Sequence, residues 1–159
     1  MAPYLHTVHV VLAGVWLGCL LFTTLVVSPA LARMDWSESE RVRVRSRIGR
    51  QFLWLANPLL VLLIVFLVLD GIASPLPPER LVRFGVELAL VVLVALMAAS
   101  HGFFFGTRLR DLATREARDV GAGARAAAAA RRRLQRLSLG VSLADLIASA
   151  AVAVLAVRL

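Results

Sequence analysis

Long apolar stretches alternate with polar ones along this chain, the apolar ones falling at roughly 4–27, 52–69, 82–105 and 137–157. A helix needs about 20 apolar residues to cross the hydrocarbon core of a bilayer. A sheet with open edges leaves its backbone groups unsatisfied in lipid. The pattern therefore predicts an all-α fold, a four-helix transmembrane bundle running up-down-up-down as one integral membrane domain over 1–159.

The polar stretches predict structure of their own. Pro29 and the stretch 35–40 should close the first helix. Ser37 followed by Glu40 has capping-box spacing, so a helix should start there and run into the second span. Asn57-Pro58 should kink that span. The turn Ser74-Pro75-Leu76-Pro77-Pro78 is short and stiff, which makes the second and third helices antiparallel neighbours. The third helix should continue past the membrane through Arg108–Arg118, break at Gly121-Ala122-Gly123, and resume through the alanines of 124–130. Gly14 and Gly18 form a small-residue pattern that allows close helix approach, as do Gly140, Ala144 and Ala148.

Charge orients the bundle. All 18 basic residues are arginine, and the net charge is +8. Six arginines lie in the 28–51 loop and nine in the 106–136 loop, whereas Arg80, Arg83 and Arg158 stand alone at the opposite end. The positive-inside rule places both loops, with their helical extensions, in the cytoplasm and both termini outside. The membrane location expected is a bacterial inner membrane. Basic charge on these loops implies attraction to anionic headgroups and no nucleic-acid partner. The sequence leaves room for a homo-oligomer or a larger membrane complex and does not set the oligomeric state. Cys19 is the single cysteine, so no disulfide forms within the chain. Ala30-Leu31-Ala32 resembles a signal-peptidase site but lacks the preceding basic region and short apolar run of a signal peptide. The chain shows no nucleotide loop, nucleophile elbow or Cys-x-x-Cys, so soluble hydrolase and kinase chemistry are unsupported. Asp35, Glu79 and Glu116 are expected to be solvated.

Ionisable groups inside a span are costly and mark function. His6 and His9, at i and i+3, share a helix face as ligands on one helix must. Trp16 lies on that face, two turns deeper, where it packs in the bundle or against a flat ligand. With Asp70 and Glu87, the two histidines lie at one depth and form a candidate metal cluster. His101 lies 14 residues beyond Glu87, about 21 Å along a helix, with Met97 one turn before it. Histidine with methionine suits copper(I) or a haem iron; the plainer reading of Met97 is core packing. Ser138, Ser142, Asp145 and Ser149 form a polar stripe on the fourth helix. Depth makes Asp145 a partner for His101, either in a structural hydrogen-bond network or in a proton or metal relay.

Leu5-His6-Thr7-Val8-His9 through Gly14-Val15-Trp16-Leu17-Gly18 resembles the membrane domain of copper-resistance protein D, and Arg50-Gln51-Phe52, Asn57-Pro58 and Asp70-Gly71 are similar to that family's following helix. The same pattern is similar to bacterial protoporphyrinogen oxidase of the HemJ type, a haem-b membrane protein. Glu87-Leu88 stands where that group has a lysine-leucine pair. Leu134-Gln135-Arg136-Leu137-Ser138 is similar to a related four-helix family in which histidine is usual at the Gln135 position. The resemblance implies copper or haem b as ligand, with His6 or His9 as the first-helix histidine and His101 as the later one. It leaves three expectations open: copper handling, haem-b redox chemistry, or a non-catalytic accessory subunit.

Overall fold

A computed structural model describes residues 2–73 and 77–158, without the side chains of Ala2, Glu38, Ser39, Val42 and Glu79. The stiff turn expected at Ser74-Pro75-Leu76 and the solvation expected of Glu79 lie outside the described residues. Six α-helices follow in order: α1 (Ala2–Phe22), α2 (Ser28–Arg33), α3 (Glu38–Ala73), α4 (Pro78–Ser100), α5 (Gly106–Arg118) and α6 (Ala122–Arg158). Two short π-helical turns, Thr23–Val27 and His101–Phe105, join α1 to α2 and α4 to α5 without a break. Four continuous rods result, Pro3–Arg33, Arg43–Ala73, Arg80–Arg118 and Ala122–Arg158, each long and apolar enough to cross a membrane. The last has 37 residues, a length of about 55 Å at 1.5 Å per residue. That exceeds the roughly 30 Å hydrocarbon core, so the rods project beyond it.

The packing is that of a membrane protein. Large apolar side chains such as Val11, Trp54, Leu62, Phe103 and Ile147 are exposed on the outer face. His9, Asp70, Glu87, Asp145 and Ser149 are buried inside. Lipid reverses the soluble arrangement because only the interior offers polar partners. The chain is a multi-pass membrane protein built as a four-helix transmembrane bundle.

α1 packs against α3 and α6, and α4 against α6 and, more lightly, α3. α1 and α4 therefore face each other across the diagonal. The core is layered between a terminal end, where Ala2 and Arg158 lie, and an arginine-rich loop end. The middle layer is apolar: Ala13, Leu63, Leu67, Val91, Val152 and Ala156 are all essentially unexposed. Trp16, Ala56, Leu60, Val94 and Ala148 form the next layer toward the loop end.

Several local expectations hold. Ser37 and Glu40 bond reciprocally: Ser37 N–H and Oγ–H donate to Glu40 Oε2 at 3.0 and 2.7 Å, and Glu40 N–H donates to Ser37 Oγ at 3.3 Å. α3 runs unbroken from there into the second span, and Pro58 lies inside it without ending it. α5 and the start of α6 form the expected helical hairpin. Its break sits at Asp119–Gly121, where Gly121 has φ +68°.

Three expectations are corrected. Pro29 does not close the first helix, which continues to Arg33. The π turn before it makes this possible: Ser28 N–H bonds Thr23 O, and the widened turn relieves the clash a proline ring makes with the preceding turn. Thr23 Oγ1–H shares its one proton between two further carbonyls, those of Cys19 and Leu20, at 3.0 Å each. Gly14 and Gly18 do not serve packing within the chain. They are exposed, and a Cβ added at either would meet nothing. Gly140 and Ala144 also face outward, leaving only Ala148 of their stripe buried. Glu116 is not simply solvated, since it pairs with Arg131 Nε at 2.8 Å across the hairpin.

Candidate functional site

Polar groups occupy both sides of the apolar layer. On the terminal side, His9 on α1 reaches across the diagonal to Glu87 on α4, with Nε2 and Oε1 2.7 Å apart and neither side chain exposed. One turn nearer the surface, His6 Nδ1 bonds Asp70 Oδ2 of α3 at 3.0 Å, and its ring is about one-third exposed. The four residues expected to cluster thus form two separate imidazole–carboxylate pairs. Among the described residues no three His, Cys, Asp or Glu side chains come together as a metal set. The reason lies in helix rotation: Asp70 faces α1 from a neighbouring helix, Glu87 from the opposite one. Within the sealed pair, His9 Nδ1 and Glu87 Oε2 have no hydrogen-bond partner.

On the loop side the polar stripe of α6 faces the interior. Trp16 Nε1–H donates to Ser149 Oγ at 3.0 Å, and the indole packs near Phe52 with ring centroids 6.4 Å apart. Trp16 is seven residues from His9, so about 10 Å of apolar core separates this bond from the His9–Glu87 pair. His101 starts the second π turn and sits between Ser138 and Ser142 of α6, at 3.4 and 3.3 Å. Ser142 Oγ–H is donated to the Ser138 carbonyl at 3.0 Å. A hydroxyl has one proton to give, so Ser142 Oγ accepts from His101 Nε2–H, and His101 Nδ1 accepts from Ser138 Oγ–H. The expected His101–Asp145 pair does not form. The two serines, lying nearer the loop end, take the imidazole instead. Asp145 is 3% exposed, and its Oδ1 has no partner.

Met97, one turn before His101, packs against the apolar layer that holds Trp16 and Val94.

A cavity of about 400 Å³ opens among the four rods at the loop end. Trp16, Asp145, Ser142 and His101 line its deep part. Leu20, Phe52, Leu53, Phe105 and Leu109 form apolar walls, and Arg45, Arg50, Arg110 and Arg131 stand toward its mouth. Both π turns contribute to its wall through Thr23, Thr24, His101, Gly102 and Phe105. Such turns concentrate at functional sites, where they re-aim side chains. The arginines are the part that sequence reasoning missed. Their number signalled orientation, but which of them turn inward depends on helix rotation beyond the bilayer, and no apolar periodicity marks it there.

No curated protein and no solved structure matches the chain. Among protein families, one described as Domain of unknown function (DUF4149) matches residues 11–118. Trp16, Asp70, Glu87, Met97 and His101 fall within that stretch, and His6, His9, Ser142, Asp145 and Ser149 outside it. The match spans more than half of the sequence, and the chain belongs to the DUF4149 family.

Proposed function

We propose that this protein handles a copper ion or haem through histidines of its first and third spans. The His9–Glu87 pair carries the reading. Ionisable groups sealed at hydrocarbon depth are costly, and each partner here keeps a buried polar atom unbonded. A pair serving packing alone would be expected to satisfy both. A carboxylate behind an imidazole is the arrangement that orients metal-bound histidines, and Asp70 repeats it behind His6. Nitrogen and oxygen donors suit copper(II). With no third ligand converging among the described residues, the fit is to copper as passing cargo, received by His6 and held by His9, with Asp70 and Glu87 fixing the rings.

Haem is the second reading, favoured by the cavity. His101 offers an imidazole, Trp16 and Phe52 offer flat apolar contact, and arginines stand where propionates would emerge. Haem, when bound, supplies one-electron chemistry. His101, at the start of the π turn after α4, would hold it through one ring nitrogen in place of one serine bond, and the other serine would set the ring's orientation.

We further place the protein in a bacterial inner membrane with the arginine-rich end cytoplasmic, against anionic headgroups, and both termini outside. The outward glycines Gly14 and Gly18 leave room for a second copy or a larger complex.

Metal analysis and an absorption spectrum of the detergent-purified protein test the proposal. Copper retained by the wild type and lost in His9→Ala supports the first reading. A Soret band lost in His101→Ala supports the second. Neither signal, with both variants still assembling into a larger complex, identifies an accessory subunit and ends the proposal.

A further inference from the structure

The loop-end cavity has arginines at its mouth and a buried carboxyl, Asp145, at its deep end. Arg45, Arg50 and Arg110 are exposed toward the mouth, and among the described residues none has a carboxylate partner. Arg50 Nη1–H donates to Ser46 Oγ and Arg110 Nε–H to the Gly106 carbonyl, bonds that leave both positive charges uncompensated. Arg131 differs, being paired to Glu116. At the other end Asp145 is buried with Oδ1 unbonded. His101, Ser138 and Ser142 already bond one another, which leaves Asp145 as the deep lining residue with an unbonded carboxyl oxygen. From the level of Gln135 to that of Asp145 is ten residues of α6, about 15 Å. Between the two ends the walls are apolar.

We propose that this cavity binds an amphipathic organic anion, its anionic group among Arg45, Arg50 and Arg110 and its far end donating a hydrogen bond to Asp145. Each part of the ligand answers one part of the cavity. A compact inorganic anion would leave the apolar walls and Asp145 unused. An organic cation drawn to Asp145 would first cross three uncompensated guanidiniums. An anion inserted charge-first would end beside a carboxylate. The cavity volume falls within the range of small-ligand sites, roughly 300–1,000 Å³. The inference does not depend on the copper reading. A haem seated with its propionates outward would be one member of the class, and the probes below contain no iron, so they report on the cavity whatever the fate of the haem reading.

The test is equilibrium binding to the full chain in phosphatidylcholine nanodiscs, with empty nanodiscs as baseline. The probes are ω-hydroxydecanoate, decanoate, para-hydroxyphenylpropanoate and decyltrimethylammonium. Saturable binding of ω-hydroxydecanoate identifies a membrane-derived acid as the source, and preference for para-hydroxyphenylpropanoate a soluble one. Both support the proposal. Combined Arg45→Gln, Arg50→Gln and Arg110→Gln should weaken binding about tenfold, as expected for several partly screened charges. Asp145→Ala should reduce ω-hydroxydecanoate to the affinity of decanoate, and Asp145→Asn, which keeps an acceptor oxygen, should retain the difference. The arginine changes lie on exposed positions, so circular dichroism should show the wild-type helix content. Unchanged affinity in the arginine variant, tighter binding of decyltrimethylammonium, or no saturable binding of either hydroxy acid would overturn the proposal.

Discussion

At the residue scale, the most consequential feature is the His9–Glu87 bond through the centre of the bundle. Removing one member of a buried polar pair strands the other, which costs on the order of 1–3 kcal/mol for an unsatisfied buried group. His9→Leu and Glu87→Leu should each lower stability by an amount of that kind. The double variant should recover much of it, because two leucines suit the adjoining apolar layer. Unfolding of the three variants in detergent checks this, and a double variant as unstable as the sum of the singles would show that the bond is not what couples α1 to α4. Trp16 belongs to a gentler class: a hydrogen bond between membrane helices contributes about 0.6 kcal/mol on average, so its burial matters more than its bond to Ser149. The histidines, carboxylates and tryptophan were legible as interior residues because charge cannot face lipid. Their partners were not legible. Sequence places residues by depth, and rotation about each helix axis decided that His101 would meet serines and that Asp145 would stay open.

At the scale of elements, the ends of helices carry the strongest local signals. Ser37 and Glu40 were legible as a capping box, and they form one. Hydrogen bonds from the Ser37 hydroxyl and then its backbone N–H hold the Glu40 carboxyl below its ordinary 4.5. A carboxyl lowered in this way stabilises the folded end above the pKa of the unfolded chain and loses that effect as pH falls through the folded value. Amide protection in the first turn of α3 should therefore decline as pH falls below about 4.5, and Glu40→Gln should flatten the decline. Gly121 terminates the hairpin loop with a left-handed backbone and no neighbour for a side chain. Gly121→Ala should cost about 1 kcal/mol from the backbone alone, read as faster amide exchange in α5. The π turns were illegible. Each adds a residue to a turn without changing the apolar pattern on either side, so Pro29 looked like a terminus when it is a passenger within a widened helix.

Across the whole molecule, the apolar pattern alone settled the class: each span is long enough to cross a bilayer, and the buried polar residues lie inside the bundle on either side of an apolar layer. The cavity needed all four rods at once, so no stretch of sequence announced it. The arginine imbalance between the two ends makes a further prediction. A reporter active only in the cytoplasm should be silent when fused after Arg158 and active when inserted at Gly121, and the reverse result would refute the orientation. The middle apolar layer also has an electrical consequence. Ala13, Leu63, Leu67, Val91 and Val152 interpose an apolar slab between the imidazole pairs and the cavity. Such a slab should insulate, and vesicles containing the protein should hold a transmembrane voltage as long as empty ones. With such a layer in between, an event at one end of the bundle would reach the other through movement of the rods.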